Sequence, residues 1–203
     1  MKKIVVPGEV VTEQRKRTGE HVYMQNGKIY SDVIGITDTE SLNASVVALK
    51  GFYIPKENDI VIGLISQELF SGFLVDIGSL YLSYLSKDSV REPLKRGSIV
   101  SVKVIKVNEV NEADVGDARV FYGGEIFSIC PIKIPRVIGK NASMLDTLKR
   151  GTNCNIIVGR NGRIWAKGGD TDLLFKALKK IEEEAHMPNL TNKIGEFLSK
   201  ERK

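Results

Sequence analysis

Ile134-Pro135-Arg136-Val137-Ile138-Gly139-Lys140-Asn141-Ala142, followed directly by Ser143-Met144-Leu145-Asp146, decides how the C-terminal third of this chain folds. Pro135 suits the first turn of a helix, where no backbone N–H is needed. Ser143 to Asp146 has the pattern of a capping box, so a second short helix is expected to run to Arg150 and stop at Gly151. Before the first helix, residues 125–133 read as a strand. After the second, 155–158 and 163–167 read as strands joined at Asn161-Gly162. Leu174, Ala177, Leu178, Ile181 and Ala185 then recur at helical spacing, predicting a long amphipathic helix over 171–186 that Pro188 ends. Residues 191–200 form one further short helix. The order is strand, helix, helix, strand, strand, helix.

Toward the N-terminus the character changes to β. Residues 59–65 and 73–77 are strand-like, and Val100, Val102 and Val104 alternate with Ser101 and Lys103 in the manner of a half-buried strand. Gly72, Gly78 and Gly97 punctuate these runs. Five short strands with glycine turns over some sixty residues suit an OB-type barrel. The polar, acidic stretch 108–117 reads as a loop. Further upstream, 21–25 and 28–36 flank Asn26-Gly27, a strong hairpin signal because both central residues must take positive φ. Residues 45–49 add another strand. The chain therefore divides into a small β domain over 1–58, a five-stranded OB barrel over 59–122 and an α+β domain over 123–203. The fold class is multi-domain and mainly β.

The 203 residues are 42% hydrophobic, enough to bury real cores. The longest apolar runs, such as 60–65, are far too short to cross a bilayer. Met1 to Gly8 lacks the apolar stretch of a signal peptide, and a cytoplasmic protein is expected. Lys and Arg number 30 against 25 Asp and Glu, a formal charge of +5 that fits a nucleic-acid partner without demonstrating one. Cys130 and Cys154 form no C-x-x-C pair and read as small buried apolar residues.

Val137-Ile138-Gly139-Lys140-Asn141-Ala142 lies between the two short helices, where a KH domain places a G-x-x-G loop. Ala142 stands at the second glycine, and its methyl hinders the closest approach of a sugar–phosphate chain. Arg136 and Lys140 remain as charges for phosphate. Gly139-Lys140 is not a P-loop: Ile134 and Asn141 break the pattern, which argues against nucleotide hydrolysis. Gly159, Asn161 and Gly162 mark a tight turn. Either Asn-Gly serves a type I′ geometry there, or Arg160 and Arg163 beside it contact RNA. Trp165 reads as packing rather than as a stacking platform.

In the barrel, a period of two sets Phe73, Val75 and Ile77 on one face with Leu74 and Asp76 opposite. Phe70, Tyr81 and Tyr84, with Lys87 nearby, are the candidates for stacking and pairing with a single strand. Arg15, Lys16 and Arg17, and the C-terminal run 200–203, are basic patches, each either a solvated face or a phosphate contact. For catalysis there is little. His21 and His186 fall in different domains, and no Ser-His-Asp, Cys-His or metal-ligand spacing is visible. Asp114 and Asp117 read as solvated loop residues. No cofactor and no metal are expected.

The ordered set of Pro7-Gly8-Glu9, Gly51-Phe52-Tyr53-Ile54-Pro55, Asp59-Ile60-Val61-Ile62-Gly63, the stretch 134–140, and Gly159-Arg160-Asn161-Gly162-Arg163-Ile164-Trp165 resembles the exosome cap subunits of the ribosomal-RNA-processing family, which join a β domain, a ribosomal-protein-S-one-type OB barrel and a type I KH domain. The match covers nearly the whole chain. The resemblance implies a non-catalytic archaeal-type subunit, three copies of which sit on a hexameric ring of RNase-PH-like subunits. There it would feed single-stranded RNA to phosphorolysis from the 3′ end. It also implies that the G-x-N-G turn packs domains together, that Leu74 stands where related barrels often place a stacking aromatic, and that Tyr84 fits a second aromatic or histidine position. A transcription or translation factor built from OB and KH domains is the alternative. Such factors usually carry paired KH domains and lack the N-terminal β domain.

Overall fold

The computed structural model describes residues 3–39, 42–185, 187 and 189–201. They fall into two compact units, Met1–Gly51 and Phe52–Lys203. The first is built of short strands: β1 (Ile4–Val5), β2 (Val10–Thr12), β3 (Arg17–Thr18), β4 (Val22–Gln25), β5 (Lys28–Ser31), β6 (Gly35–Asp38) and β7 (Asn43–Ala48). They make a four-stranded sheet in the order β1-β6-β7-β3 and a three-stranded sheet β2-β5-β4. Val5, Ile29, Ala44, Val46 and Ala48 are buried. Asn26 and Gly27 both have positive φ (49° and 77°), as a two-residue type I′ connection between β4 and β5 requires. The single strand expected over 28–36 is instead β5 and β6 with a bend between them. The Ser31 hydroxyl donates to Val33 O (2.7 Å), a local bond that competes with the ladder.

In the second unit, β8 (Ile60–Glu68), β9 (Gly72–Asp76), β10 (Ser83–Ser86), β11 (Ile99–Val107) and β12 (Ala113–Phe121) close into a barrel. β10 and β12 pair in parallel and every other neighbour is antiparallel. Phe73, Val75 and Ile77 point inward with Val61, Ile65, Leu85, Val100, Val102 and Val104, while Leu74 and Asp76 stay on the outside. Tyr53 enters the same core from the segment before β8. The polar run 108–117 is a loop only as far as Glu112. Ala113 and Val115 face the barrel interior, so Asp114 and Asp117 are exposed strand residues. Closure decides this: β12 has ladder partners on both sides, and polar residues are tolerated on its outer face.

The remainder comprises β13 (Glu125–Ser128), α1 (Ile134–Ile138), α2 (Ser143–Thr152), β14 (Asn155–Val158), β15 (Arg163–Lys167), α3 (Thr171–Glu183) and α4 (Leu190–Glu201). The sheet runs β13-β15-β14. Ile134, Val137, Met144, Leu148, Ile156, Ile164, Leu174 and Leu178 fill the core between sheet and helices, and Leu190, Ile194 and Leu198 of α4 extend it. β13 is shorter than expected because Pro131 opens a turn of 3₁₀ helix, Pro131–Lys133. The capping box does not form. Ala142, left-handed at φ 62°, precedes α2, and Ser143 is already helical, so no side chain caps this end. Nor does Gly151 stop α2. The side chain of Leu198 lies against Gly151, which stays helical, and left-handed Asn153 closes the helix two residues later. At α3, Asp170 accepts from the Leu173 N–H (2.8 Å) as N-cap. His186, Pro188, Arg202 and Lys203 lie outside the described residues. Among the described residues, no helix is long and apolar enough to cross a membrane.

Candidate nucleic-acid interface

The turn between β14 and β15 joins the KH fold to the barrel. Asn161 is only 5% exposed. Its side-chain amide donates to Ile62 O (2.7 Å) and Ile77 O (2.7 Å), and its Oδ1 accepts from Ile62 N (3.2 Å). Arg160 N–H adds a bond to Ile60 O (2.9 Å). The type I′ geometry does not occur: only Gly162 has positive φ (84°), and Asn161 instead turns its amide into the barrel wall. Gly159 is required by close approach, since a Cβ there would stand 2.8 Å from Ile62 N. The turn thus packs the KH fold against the barrel.

Arg163 belongs to the same junction. Its guanidinium donates to Asp76 O and pairs with Asp76 Oδ2 at 2.8 Å. Burial opposes the charged form of Asp76, but Arg163 and the Gly78 N–H (2.8 Å) outweigh it and hold the carboxyl below its ordinary value. Trp165 stacks on Phe121 (centroids 4.5 Å, 13° between planes) and donates its indole N–H to Gly123 O (2.9 Å). With Ile62 these rings form a small apolar cluster between barrel and sheet. Tyr53 donates to Asp59 Oδ2 (2.9 Å). Burial, and then this bond, push its hydroxyl far above the usual phenol value.

On the outer face of the barrel, β9 and β10 present Leu74 and Tyr84 as direct cross-strand neighbours. The Tyr84 ring lies over Gly72, where a Cβ would come within 2.8 Å of Cε2, and its hydroxyl donates to Ser71 O (3.0 Å). Gly72 and Ser71 thus hold a half-buried Tyr84 flat on the wall. Neither was singled out from sequence as a positioning group; a glycine inside a strand is the signal that marks such an approach. Phe70, at the tip of the β8–β9 turn beside Ser71, is fully exposed. Lys87 sits at the same end of β10, paired with Glu68 (3.2 Å) and 5.8 Å from the centroid of the Phe73 ring. Such an exposed pair contributes little and leaves the ammonium able to exchange partners. Tyr81 is exposed in the β9–β10 connection, before β10 rather than after it. The structure therefore gathers Phe70, Tyr84 and Lys87 and leaves Tyr81 at the far end.

In the KH fold, Arg136 and Lys140 are exposed on α1 and in the loop after it. Gly139, Asn141 and Ala142 all take positive φ (73°, 51° and 62°), and the Ala142 methyl stands where a second glycine would be. Arg15 and Arg17 are exposed in the first unit, whereas Lys16 is half-buried and donates to Thr39 O. Among the described residues, no three His, Cys, Asp or Glu side chains are grouped as metal ligands.

Two family models match: the exosome RNA-binding protein RRP4 N-terminal domain over residues 2–50 and a KH domain over residues 124–172. The chain is 39% identical over 216 residues to the exosome complex component Rrp4 of Methanosarcina barkeri, covering 99% of this chain and 83% of the relative. It is 36% identical to the Rrp4 of Saccharolobus solfataricus (96% and 87% covered) and 35% identical to that of Pyrococcus horikoshii (97% and 82%). A crystal structure described as an exosome complex RNA-binding protein aligns with TM-score 0.68 and 33% identity, over 75% of this chain and 98% of that one. Matched from end to end, and with its barrel and KH fold locked by the Asn161 turn, the chain belongs to the family of the exosome complex component Rrp4.

Proposed function

We propose that this chain is the RNA-binding cap of an archaeal exosome. It grips single-stranded RNA and guides the 3′ end into the pore of a hexameric RNase-PH-like ring, which breaks the bonds by phosphorolysis. Three copies sit on each ring. The observation that carries this reading is the edge formed by exposed Phe70 and Ser71 and half-buried Tyr84 on a closed barrel, with the Lys87 charge beside it, in a chain whose relatives are exosome components. Aromatic faces and mobile cations on a small barrel hold a strand without reading its sequence. Arg136 and Lys140 add phosphate contacts from the KH loop, Arg15 and Arg17 add theirs from the first unit, and Tyr81 takes a base farther along the barrel.

The test uses the purified full-length chain, a 3′-extended labelled RNA, inorganic phosphate and magnesium. The chain alone is expected to bind the RNA and leave its length unchanged. Ring subunits alone shorten it, and ring plus chain shorten it more processively. Shortening by the isolated chain, or failure of the chain to co-purify with ring subunits, would sink the proposal.

A further inference from the structure

Asn-Gly occurs twice in the chain, at Asn26-Gly27 and at Asn161-Gly162. Asparagine is a thermolabile residue. A following glycine puts no Cβ in the way when its amide nitrogen attacks the side-chain amide carbon. The fold treats the two pairs in opposite ways. Asn26 and Gly27 form the tip of the β4–β5 hairpin, and both are exposed. No hydrogen bond among the described residues holds the Asn26 side chain. A Cβ placed on Gly27 would meet nothing within 4 Å. Gln25 and Lys28, the pair that closes the turn, are exposed as well, so opening the tip disturbs one ladder pair and no core. Asn161 is 5% exposed. Its Nδ2 donates to Ile62 O and Ile77 O and its Oδ1 accepts from Ile62 N, which fixes the amide on both sides. A Cβ on Gly162 would stand 2.3 Å from Ile129 O, so the main chain there is closely packed.

We infer that Asn26 is a site of spontaneous isoaspartate formation, and that the barrel–KH seam shields Asn161 from the same reaction. The Gly27 nitrogen bonds to Asn26 Cγ, the Cγ–Nδ2 bond breaks, and the proton of that nitrogen leaves with Nδ2 as ammonia. Water then opens the succinimide so formed. Cleavage between the main-chain carbonyl carbon and the nitrogen gives isoaspartate; cleavage at Cγ gives aspartate. One water enters, one ammonia leaves, and nothing is oxidised or reduced. The attack needs the main chain to rotate at Asn26, so fraying of the tip is the gate. It also needs the Gly27 nitrogen to lose its proton, so it quickens as pH rises. The product alters the hairpin. Isoaspartate carries the chain through Cβ and adds a backbone atom to a connection whose two residues must both take positive φ. The Gln25–Lys28 pair then loses its register, and the neighbouring stack of Tyr23 on Tyr30 (centroids 5.6 Å) loosens. The exposed isoaspartyl carboxylate is the group that a repair-type carboxyl methyltransferase accepts. The inference does not depend on the RNA-binding reading.

The test ages the full-length chain in mildly alkaline buffer, once folded and once in concentrated urea. Isoaspartate is counted by methyl transfer from labelled S-adenosylmethionine with an isoaspartyl methyltransferase. Peptides spanning Asn26 and Asn161 are then mapped by mass spectrometry for the exchange of NH2 by OH. In the folded chain isoaspartate is expected at Asn26 and not at Asn161. Three buried hydrogen bonds must break before Asn161 reacts, so its rate in the folded chain is expected to be on the order of 100-fold below that of Asn26. In urea both pairs are expected to react at similar rates, because the dipeptide is the same. The variant Asn26→Gly keeps a sequence suited to the turn and removes the amide, and folded samples of it are expected to take up almost no methyl label. An unmodified Asn26 in folded chain that does react in urea overturns the inference. So does Asn161 reacting as fast as Asn26 in folded chain, or staying intact in urea, since its protection would then owe nothing to the seam. Methyl uptake that persists in folded Asn26→Gly places the site elsewhere and also overturns it.

Discussion

Ser83 points into the barrel with its hydroxyl fully buried and without a hydrogen-bond partner. An orphaned hydroxyl costs about 1–3 kcal/mol, and removing the oxygen leaves only a small void. Ser83→Ala is therefore expected to stabilise the chain by about 1 kcal/mol, read as a higher urea midpoint with an unchanged slope. Tyr84 and Phe70 make the opposite kind of prediction. Each stacked base is worth about 1–3 kcal/mol, so Tyr84→Ala is expected to weaken RNA binding by roughly 5- to 150-fold, and Phe70→Ala, fully exposed, by a comparable factor at constant stability. Equilibrium binding of a labelled single strand checks both. Unchanged affinity in both variants would remove this edge from the RNA path.

Among elements, the β14–β15 turn has the largest leverage. Asn161→Ala breaks three hydrogen bonds to backbone atoms of Ile62 and Ile77 and leaves them dry. A loss of about 2–4 kcal/mol is expected in equilibrium unfolding. The Asp76–Arg163 pair beside it makes stability depend on pH in a defined direction. Since the folded carboxyl titrates below its ordinary value of about 3.9, its contribution is complete above that pH and disappears as pH falls through the lower, folded pKa. Wild type and Asp76→Asn should therefore differ in stability at neutral pH and converge in acid, as urea unfolding across a pH series would show.

This turn also shows how far the sequence could be read. Asn26-Gly27 was legible because a two-residue hairpin depends on its own φ angles alone. Asn161-Gly162 has the same letters, but the partners that fix it lie 99 and 84 residues away, so spacing suggested a type I′ turn and only the family resemblance pointed to packing. Asp114 and Asp117 were misread for a related reason: polarity signals solvent, and the outer face of a closed barrel is as wet as a loop. Tyr84 was found as an aromatic, but the part played by Gly72 and Ser71 in laying it flat is a matter of strand register.

For the molecule as a whole, the barrel and the KH fold share one compact unit, and their seam is sealed by Ile62, Phe121 and Trp165 as well as by Asn161. Slow amide protons on both sides are expected to exchange through one common opening, with similar free energies by hydrogen-exchange mass spectrometry. In Asn161→Ala the two sets should separate, the less stable fold exchanging first. Coincident exchange in that variant would mean that the aromatic stack, the Arg163–Asp76 pair and the Arg160 N–H bond couple them without Asn161.

Trp165 leans on Phe121 and bonds to the main chain at Gly123, so the short connection from barrel to KH fold has almost no slack. A module swap would feel this at once. Grafted onto a foreign barrel, the KH fold would arrive with an amide primed for three hydrogen bonds and an indole in search of a ring. The graft would take only if its landing strip, Ile62 and Ile77 with their carbonyls and the Phe121 ring, travelled with it.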